Sequence, residues 1–159
     1  MTSHQILNNF MSLSFTIRKH HASDLPQIYS LIKELSIFEK VPHRLINSLE
    51  RMVAEQNHFH AFVAVNNQNE ILAYATYNLI YYTWVGKSIY MDDLYVKSEY
   101  RGQGIGRDLI ESVLTFAKEN GCHKVRWQVS EWNERAIEFY KSLGAEIDAV
   151  EKNCEVIIL

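Results

Sequence analysis

The sequence is poor in the features that mark disulfide-rich, metal-binding and membrane-spanning proteins. Its two cysteines, Cys122 and Cys154, fit neither a disulfide framework nor a metal motif. No apolar run approaches the roughly 20 residues that a membrane-spanning helix needs. The first ten residues, MTSHQILNNF, lack the basic start and apolar core of a signal peptide. We therefore expect reduced thiols, no metal, no membrane partner and a cytoplasmic location.

Charge of one sign is also scarce. Sixteen Lys and Arg residues stand against 19 Asp and Glu residues, which gives a net charge of -3. A dedicated nucleic-acid binder normally carries a basic excess, so no nucleic-acid partner is expected. A hydrophobic content of 47% in 159 residues is enough to build a substantial core. Since no repeat is visible, we predict a flexible leader at 1–12 and one domain at 13–159.

Hydrophobic periodicity predicts strands and helices in the order β-α-α-β-β-β-α-β-α-β-β. Ser23 is placed to cap the first helix and Asn133 the last, while Gly121 and Gly144 are placed to end the third and fourth. This order predicts an α/β fold, with a mixed sheet covered by helices on both faces. The predicted helices cover 22–40, 46–55, 104–120 and the segment from Asn133 to Gly144; the predicted strands cover 15–20, 60–65, 71–82, 87–97, 123–129 and the final EVIIL.

Two adjacent carboxylates interrupt a largely apolar strand, YMDDLYV, from Tyr90 to Val96. Because both faces of the strand are apolar, it is expected to be buried on both sides. A carboxylate there is costly unless it is paired, hydrogen-bonded or open to a cleft. Asp92 and Asp93 are therefore either solvated at a kink or placed in a cleft, where at least one acts as a base or a cation ligand.

A glycine-rich, basic turn, RGQGIG, follows this strand and opens directly into the third predicted helix. Glycines allow the backbone to approach a ligand closely. The first amides of a helix are unpaired donors, which suit a pyrophosphate, and Arg101 and Arg107 add positive charge. The spacing matches neither the dinucleotide nor the nucleotide-triphosphate loop. Taken alone, the turn is better explained as an ordinary strand-to-helix connection, and the case for a phosphate site depends on the strand before it, the amphipathic helix after it and the sequence downstream.

The segment EWNERAIEFYKSLGA, from Glu131 to Ala145, adds a second motif. With it the chain resembles the GNAT family of acetyl-coenzyme A-dependent N-acetyltransferases, in element order and motif, from Phe15 to about Ala145. The R-x-x-G-x-G turn matches the family's pyrophosphate loop, and N-x-x-A-x-x-F-Y-x-x-x-G-A matches its second signature. Within the family, the chain looks most like the spermidine/spermine (diamine) branch, which also contains thialysine acetyltransferases.

The resemblance implies a GNAT acyltransferase fold, splayed open at the cofactor site, and a role for each site residue. It implies Asp92 as the base, directly or through a water, and Tyr140 as the acid that protonates the leaving thiolate. It implies that acetyl-CoA, with no metal, is bound by Leu94, Tyr95, Val96, Arg101, Gly102, Gln103, Gly104, Ile105, Gly106, Arg107, Asn133, Ala136, Phe139, Tyr140 and Leu143. It implies substrate contacts for Phe38, Glu39, Asp92, Asp93, Arg126, Trp127 and Gln128.

Several positions depart from the branch. Tyr82 and Lys152 stand where the branch has acids, Cys154 where it has a tryptophan, and Asp92 where it usually has glutamate. An acidic channel attracts a polycation such as spermine. We therefore expect a smaller acceptor: a diamine, a thialysine-like amino acid or another small amine. The alternatives are a protein or peptide amine acetyltransferase and a non-catalytic acyl-CoA-binding sensor. The resemblance also implies a homodimer.

Overall fold

The computed structural model describes residues 14–151 and 153–158, so the predicted leader at 1–12 lies outside the described residues. The chain divides into two compact units, one that ends at Trp127 and one that begins at Gln128. That residues 13–159 form a single domain stays a prediction.

Seven strands and four helices make up the regular structure of the described residues. The strands are β1 (Phe15–Lys19), β2 (Ala61–Asn66), β3 (Ile71–Thr76), β4 (Asn78–Tyr82), β5 (Gly86–Tyr90), β6 (Leu94–Val96) and β7 (Lys124–Arg126). The helices are α1 (Leu25–Phe38), α2 (Leu49–Ala54), α3 (Ile105–Glu119) and α4 (Glu134–Ser142).

The strands of the first unit form two sheets. One sheet has the order β1-β2-β3-β6 and is antiparallel throughout. The other has the order β4-β5-β7, with β4 antiparallel and β7 parallel to β5. Antiparallel hairpins and one parallel crossover therefore occur together, as the sequence predicts for a mixed sheet.

Two predicted strands are each broken in the structure. The run 71–82 divides at Tyr77 into β3 and β4, and the run 87–97 divides at 91–93 into β5 and β6. The expectation of two continuous strands was therefore wrong. The breaks lie opposite each other, because Thr76 N–H donates to the carbonyl of Asp93 at 2.9 Å. Together they open the sheet between β6 and β7, since β7 pairs with β5 and with no other strand of the described residues.

Helices cover both faces of the larger sheet. Val63, Tyr74 and Tyr95 lie opposite one another across β2, β3 and β6, so they share one face. That face packs against buried residues of α1 and α2. The other face carries Phe62, whose ring contacts Phe116 of α3 with the centroids 6.1 Å apart. Because neighbouring strand residues point to opposite faces, α1 and α3 lie on opposite sides of this sheet.

The start of α1 differs from the prediction. Ser23 lies in a short 3₁₀ turn, and the helix begins at Leu25, with Pro26 in its first turn. The turn is held by the buried carboxylate of Asp24, which accepts bonds from the guanidinium of Arg18 at 2.6 and 3.1 Å and from His21 N–H at 2.7 Å. Ser23 therefore does not cap the helix.

Other element ends follow the sequence more closely. The side chain of Asn133 accepts a bond from Ala136 N–H and so caps α4, and Gly121 and Gly144 have φ of 64° and 81° after α3 and α4. Such positive φ values favour glycine. The predicted second helix begins only at Leu49, capped by Ser48. The predicted terminal strand EVIIL is not a strand in its described part, 155–158, because no neighbouring strand pairs with it there.

Candidate active site

The two acids of the sequence motif lie where the strand breaks. Met91, Asp92 and Asp93 form the non-strand link between β5 and β6. Met91 N–H still donates to the carbonyl of Arg126 on β7, at 2.9 Å, and the pairing of β5 with β7 ends there. Asp92 is exposed and Asp93 is half-buried. The structure therefore places the acids at a kink beside the opening of the sheet, and their role as a base or a cation ligand stays a prediction.

Two hydroxyl groups on β3 hold this link. The Thr76 hydroxyl oxygen accepts from the backbone N–H groups of Asp92, at 3.0 Å, and of Asp93, at 2.8 Å. The hydroxyl of Tyr74 donates to the Asp93 carboxylate at 2.9 Å. Both hydroxyl-bearing residues are buried. These two hydroxyl groups therefore fix the backbone of the acid pair and the carboxylate of Asp93, and neither bonds to the Asp92 carboxylate.

Burial raises the pKa values of both acids, and repulsion between negative charges adds to it at Asp93. The pKa of Asp93 is raised to about 6, by burial first and then by the charges of Asp92 and Glu39, against the lowering effect of the Tyr74 bond. The pKa of Asp92 is also raised, because the protein around its carboxylate removes part of its hydration. A carboxylate with a raised pKa is a stronger base, as catalytic acids and bases require.

The predicted substrate residues at the end of α1 lie beside the acids and the glycine turn. Glu39 follows the last residue of α1 and acts on the Asp93 carboxylate through its charge. The Arg101 guanidinium lies 4.6 Å from the ring centre of Phe38 and 5.4 Å from that of Tyr95. Arg101 Nε also donates to the carbonyl of Val96 at 2.8 Å. Arg101 therefore joins α1 to β6 as well as carrying a charge near the loop.

Strand β6 offers a regular row of backbone groups at the opening of the sheet. Its flanking residues bond to β3: the carbonyl of Asp93 accepts from Thr76, and Lys97 N–H donates to the carbonyl of Leu72. Antiparallel bonding alternates along a strand, so the backbone groups of Leu94 and Val96 point away from β3. The side chain of Tyr95, between these two residues, is buried, and its hydroxyl donates to the Glu34 carboxylate at 3.1 Å.

The glycine turn forms an open helix start. Gly102 and Gly104 have φ of 78° and 87°, and a Cβ at either position would meet nothing within 4 Å. Gly104 is the N-cap residue of α3 and supplies no side-chain acceptor, so the amides that begin at Ile105 point outward uncapped. Gln103, Arg107 and both glycines are exposed, and Gly106 is half-buried. This arrangement can bind a phosphate group through backbone amides.

Cations cluster around Tyr82 on the smaller sheet. Lys124 Nζ lies 5.3 Å and Arg126 Cζ 5.9 Å from the centre of the Tyr82 ring. Arg126 is opposite Tyr90 in the sheet register. The pKa of Tyr90 is raised by burial and by the charge of Asp92, whereas the charge of Arg126 lowers it. Positive and negative groups therefore meet around Tyr90.

The remaining predicted residues belong to the second unit, apart from half-buried Trp127, which ends the first. Tyr140 is buried near the end of α4, and its ring lies 5.4 Å from that of Phe139. Its carbonyl accepts from Leu143 N–H and Ala145 N–H, which closes the helix end. Gln128 is exposed and donates from Nε2 to the Asn153 side chain. Asn133 caps α4 through Ala136 N–H at 3.2 Å.

Three residues of this region were missed by the sequence reasoning: Tyr74, Thr76 and Lys124. Tyr74 and Thr76 read as ordinary alternating residues of a strand, and only the pairing of β3 with β6 places them against the acids. Lys124 could have been found from its spacing, because residues i and i+2 of a strand share a face and Arg126 was already a candidate.

The part of the chain that the structure describes contains no helix long and apolar enough to cross a membrane. Among the same residues, no three His, Cys, Asp or Glu side chains group closely enough to hold a metal ion.

Comparison with known proteins matches residues 25–145 to the acetyltransferase (GNAT) family. The thialysine N-epsilon-acetyltransferase of Mus musculus is 38% identical over 144 residues, which are 84% of this chain and 85% of the mouse protein. That of Caenorhabditis elegans is 32% identical over 133 residues, with 80% and 79% covered. The human spermidine/spermine N(1)-acetyltransferase-like protein 1 is 31% identical over 82% of this chain, which spans 20% of that protein.

Solved structures show the same fold. An aminoglycoside acetyltransferase from an uncultured soil metagenomic sample, in complex with sisomicin, superposes with a TM-score of 0.74 at 26% identity, covering 90% of this chain and 97% of the other. An aminoglycoside N-acetyltransferase in complex with CoA gives a TM-score of 0.67 at 17% identity, covering 89% and 97%. The predictions of family, of a mixed α/β fold with an open sheet and of N-acetyltransferase activity are therefore confirmed.

Proposed function

Because this chain belongs to the GNAT family of acetyltransferases, we propose that it transfers the acetyl group of acetyl-CoA to the side-chain amine of a small amino acid. The observation that carries this proposal is the combination of acids at the strand break with the cations around Tyr82. The acids suit an ammonium group, and the cations suit a carboxylate.

The residues at the sheet opening fit acetyl-CoA. The uncapped amides at the start of α3, with glycines at positive φ before them, leave room for a pyrophosphate. The outward backbone groups of Leu94 and Val96 fit the amide groups of a pantetheine arm as an added strand would. Acetyl-CoA supplies the acetyl group as a reactive thioester. In the second unit, Asn133, Ala136, Phe139, Tyr140 and Leu143 are the proposed further cofactor residues.

The acid pair prepares the acceptor. Alkylamines titrate near ~10, so the acceptor arrives protonated and must lose a proton before it can react. We assign the proton acceptor to the Asp92 carboxylate, directly or through a water, because that side chain is exposed, whereas the Asp93 carboxylate is held by the Tyr74 hydroxyl. Asp93, bonded to Tyr74, and Glu39 add negative charge that attracts the ammonium form.

Tyr140 is the proposed general acid. Its phenolic oxygen would hold the proton that the departing CoA sulfur needs. The match of Tyr140 to the family's second signature supports this role, since the pattern from Asn133 to Ala145 is complete in this chain.

Amino acids are favoured over polyamines by the chain's own charges. A polycation such as spermine needs negative groups along its whole length, whereas Tyr82 here is flanked by Lys124 and Arg126. An acceptor that carries a carboxylate at one end would bind those cations and present its amine to the acids. The likeness to thialysine N-epsilon-acetyltransferases of several animals supports this class.

A panel of acceptors tests the proposal. CoA release is measured with thialysine, lysine, ornithine, putrescine, spermidine, spermine and a lysine-containing peptide at matched concentrations. We expect the free amino acids to have the highest kcat/KM. A preference for spermine would contradict the amino-acid class, a preference for the peptide would favour a protein acetyltransferase, and acetyl-CoA binding without turnover of any amine would favour a sensor.

A matched pair of variants tests the role of the cations. Arg126→Gln removes the charge near Tyr82 while keeping a long polar side chain, and Arg135→Gln makes the same change at an exposed position of α4. The first should raise KM for an amino acid more than for putrescine, and the second should leave both unchanged. An equal effect of Arg126→Gln on both acceptors would refute carboxylate recognition.

The homodimer remains a proposal supported by the family resemblance, and the cytoplasmic location remains a proposal supported by the cysteine pattern of the sequence. Sedimentation velocity of the purified protein tests the first, and fractionation of cells expressing it tests the second. A monomer at micromolar concentration would contradict the dimer.

A further inference from the structure

Two hydroxyl groups on β3 bond to the acid pair and have no role in the reaction proposed above. Thr76 ends β3, is 5% exposed, and lies opposite the break between β5 and β6. Its hydroxyl oxygen accepts two backbone N–H bonds, from Asp92 and Asp93. Its own N–H donates to the carbonyl of Asp93 at 2.9 Å, and its hydroxyl makes a longer bond of 3.5 Å to the same carbonyl, so one residue makes four hydrogen bonds to the link.

The bonds to the Thr76 hydroxyl replace the strand-to-strand hydrogen bonds that the Asp92 and Asp93 amides lose at the break between β5 and β6. Beyond Arg126 no strand among the described residues pairs with the link, so the Asp92 and Asp93 amides lose the partners that a continuous strand would provide. Buried N–H groups are nearly always paired, because an unpaired one costs free energy. A threonine hydroxyl has two lone pairs and can satisfy both amides at once. A valine of the same shape could satisfy neither.

The two hydroxyls leave the carboxylates with different freedom. The Tyr74 hydroxyl ties the Asp93 carboxylate to the core at 2.9 Å. The Thr76 hydroxyl holds the Asp92 backbone but does not touch the Asp92 carboxylate, which stays at the surface. One acid is therefore fixed by both its main chain and its side chain, and the other by its main chain alone.

We propose that Thr76 is a positioning residue, whose hydroxyl sets the direction in which Asp92 presents its carboxylate to the acceptor amine. This inference rests on the proposed function for its catalytic meaning. The short side chain of Asp can place its carboxylate at one defined point only if the backbone is fixed. A longer and more flexible Glu side chain would depend less on the position of its backbone. Misplacement of a catalytic group by about 1 Å is known to cost up to about 10²-fold in rate.

The charged and titratable groups that face the pair belong to four elements. They are Tyr74 on β3, Tyr90 on β5, Glu39 directly after α1 and Arg126 on β7, whose charge acts at Tyr90. Thr76 carries no charge, so a change there should leave this set intact. An effect of Thr76 on the pH profile must therefore come from geometry.

The test compares Thr76→Val, Thr76→Ser and the control Thr115→Val. Thr115 is an exposed residue of α3, so the control makes the same change away from the acids. Amide hydrogen exchange at Asp92 and Asp93 is measured by NMR, together with kcat, KM for both substrates and the pH dependence of kcat. We expect Thr76→Val to speed exchange at both amides by at least about tenfold and to lower kcat by about 10- to 100-fold.

The conservative variant separates positioning from packing. Thr76→Ser keeps the oxygen, so it should restore the slow exchange and bring kcat within about threefold of the parent, with the acetyl-CoA KM unchanged in all variants. Parent-like exchange and kcat in Thr76→Val would overturn the proposal, and so would a serine variant that behaves like valine. If Thr76→Val does not fold, fast exchange at these amides in the parent or in Thr76→Ser would overturn it equally.

Exchange also separates this inference from the proposed function. If the parent turns over no amine, the proposed function fails, and Thr76 is judged by exchange alone. Faster exchange in Thr76→Val would then still support Thr76 as the residue that positions the acid pair, whereas unchanged exchange would overturn it.

Discussion

Replacing Asp93 with Asn should make the protein more stable at neutral pH. The folded structure raises the pKa of Asp93 from 3.8 to about 6, because the carboxylate is buried beside Asp92 and Glu39. A carboxyl group with a raised folded pKa binds more protons in the folded than in the unfolded chain between pH 4 and 6. Stability is therefore lost as the pH rises through that window and stays reduced above it.

The size of the effect follows from the shift. About 2 pKa units at about 1.4 kcal/mol each give a cost of about 3 kcal/mol once Asp93 is ionised. Asn has no charge and keeps an oxygen that can accept from the Tyr74 hydroxyl. The free energy of unfolding should rise by up to about 3 kcal/mol at pH 8, which is roughly 6–12 °C in Tm for a chain of this size.

Urea unfolding of the parent and Asp93→Asn across pH 4.5 to 8 is the decisive measurement. The gain should shrink to about 1 kcal/mol near pH 4.5, where nearly all of the folded Asp93 is protonated but most of the unfolded Asp93 is already ionised. Asp92→Asn is the control and should gain less, because that side chain is exposed. A gain that does not change with pH, or an Asn variant less stable than the parent at pH 8, would refute the reasoning. The stabilised variant should be the poorer enzyme, with kcat/KM at least about tenfold lower, because it has lost charge that attracts the amine.

Three further outcomes are expected. Gly104→Val should weaken acetyl-CoA binding sharply in calorimetry. The control Gly121→Val also places a side chain at a positive φ in open space, so it should lose similar stability but keep its affinity for acetyl-CoA. Equal affinities of the two variants would show that the cofactor does not bind at this turn. Tyr140→Phe should lower kcat by about 10²-fold or more, with cofactor affinity within a few-fold and an unchanged Tm; parent-like turnover at saturating amine would make Tyr140 a packing residue. Burial opposes ionisation of Asp24, but the bonds from Arg18 and His21 prevail and lower its pKa. The ionised carboxylate therefore stabilises the fold above pH 4, and this stabilisation is lost as the pH falls through the lowered folded pKa. Asp24→Asn should therefore cost about 1–3 kcal/mol at pH 7, since Arg18 is one-third exposed, and much less at pH 3 in urea unfolding; an equal cost at both pH values would contradict an ionic contribution.

Features that depend on neighbouring residues in the chain could be predicted from the sequence. Asn133 caps α4 and Gly121 follows the end of α3, because a cap needs only the backbone amides of the next turn or a positive φ. The glycine turn before α3 and the acids at the end of an apolar strand were found for the same reason. The two motifs, in order along the chain, were enough to identify the family.

Features that depend on distant strands could not be predicted in this way. The runs 71–82 and 87–97 both have strand composition throughout, and each divides where the two sheets separate, since β3 pairs with β6 and β4 pairs with β5. EVIIL has the composition of a strand as well, yet no strand pairs with its described part. β-structure requires a partner, and the partner is chosen by the tertiary fold.

The chemistry of the site divides along the same line. The sequence by itself determined which groups are present: the carboxylates of Asp92 and Asp93 and a loop able to bind phosphate. Only the tertiary structure decided that Tyr74 bonds one carboxylate, that Thr76 holds the backbone of both, and that burial raises the pKa of Asp93 to about 6. A side chain's type is local, but its hydration and its hydrogen-bond partners come from residues that the fold brings to it.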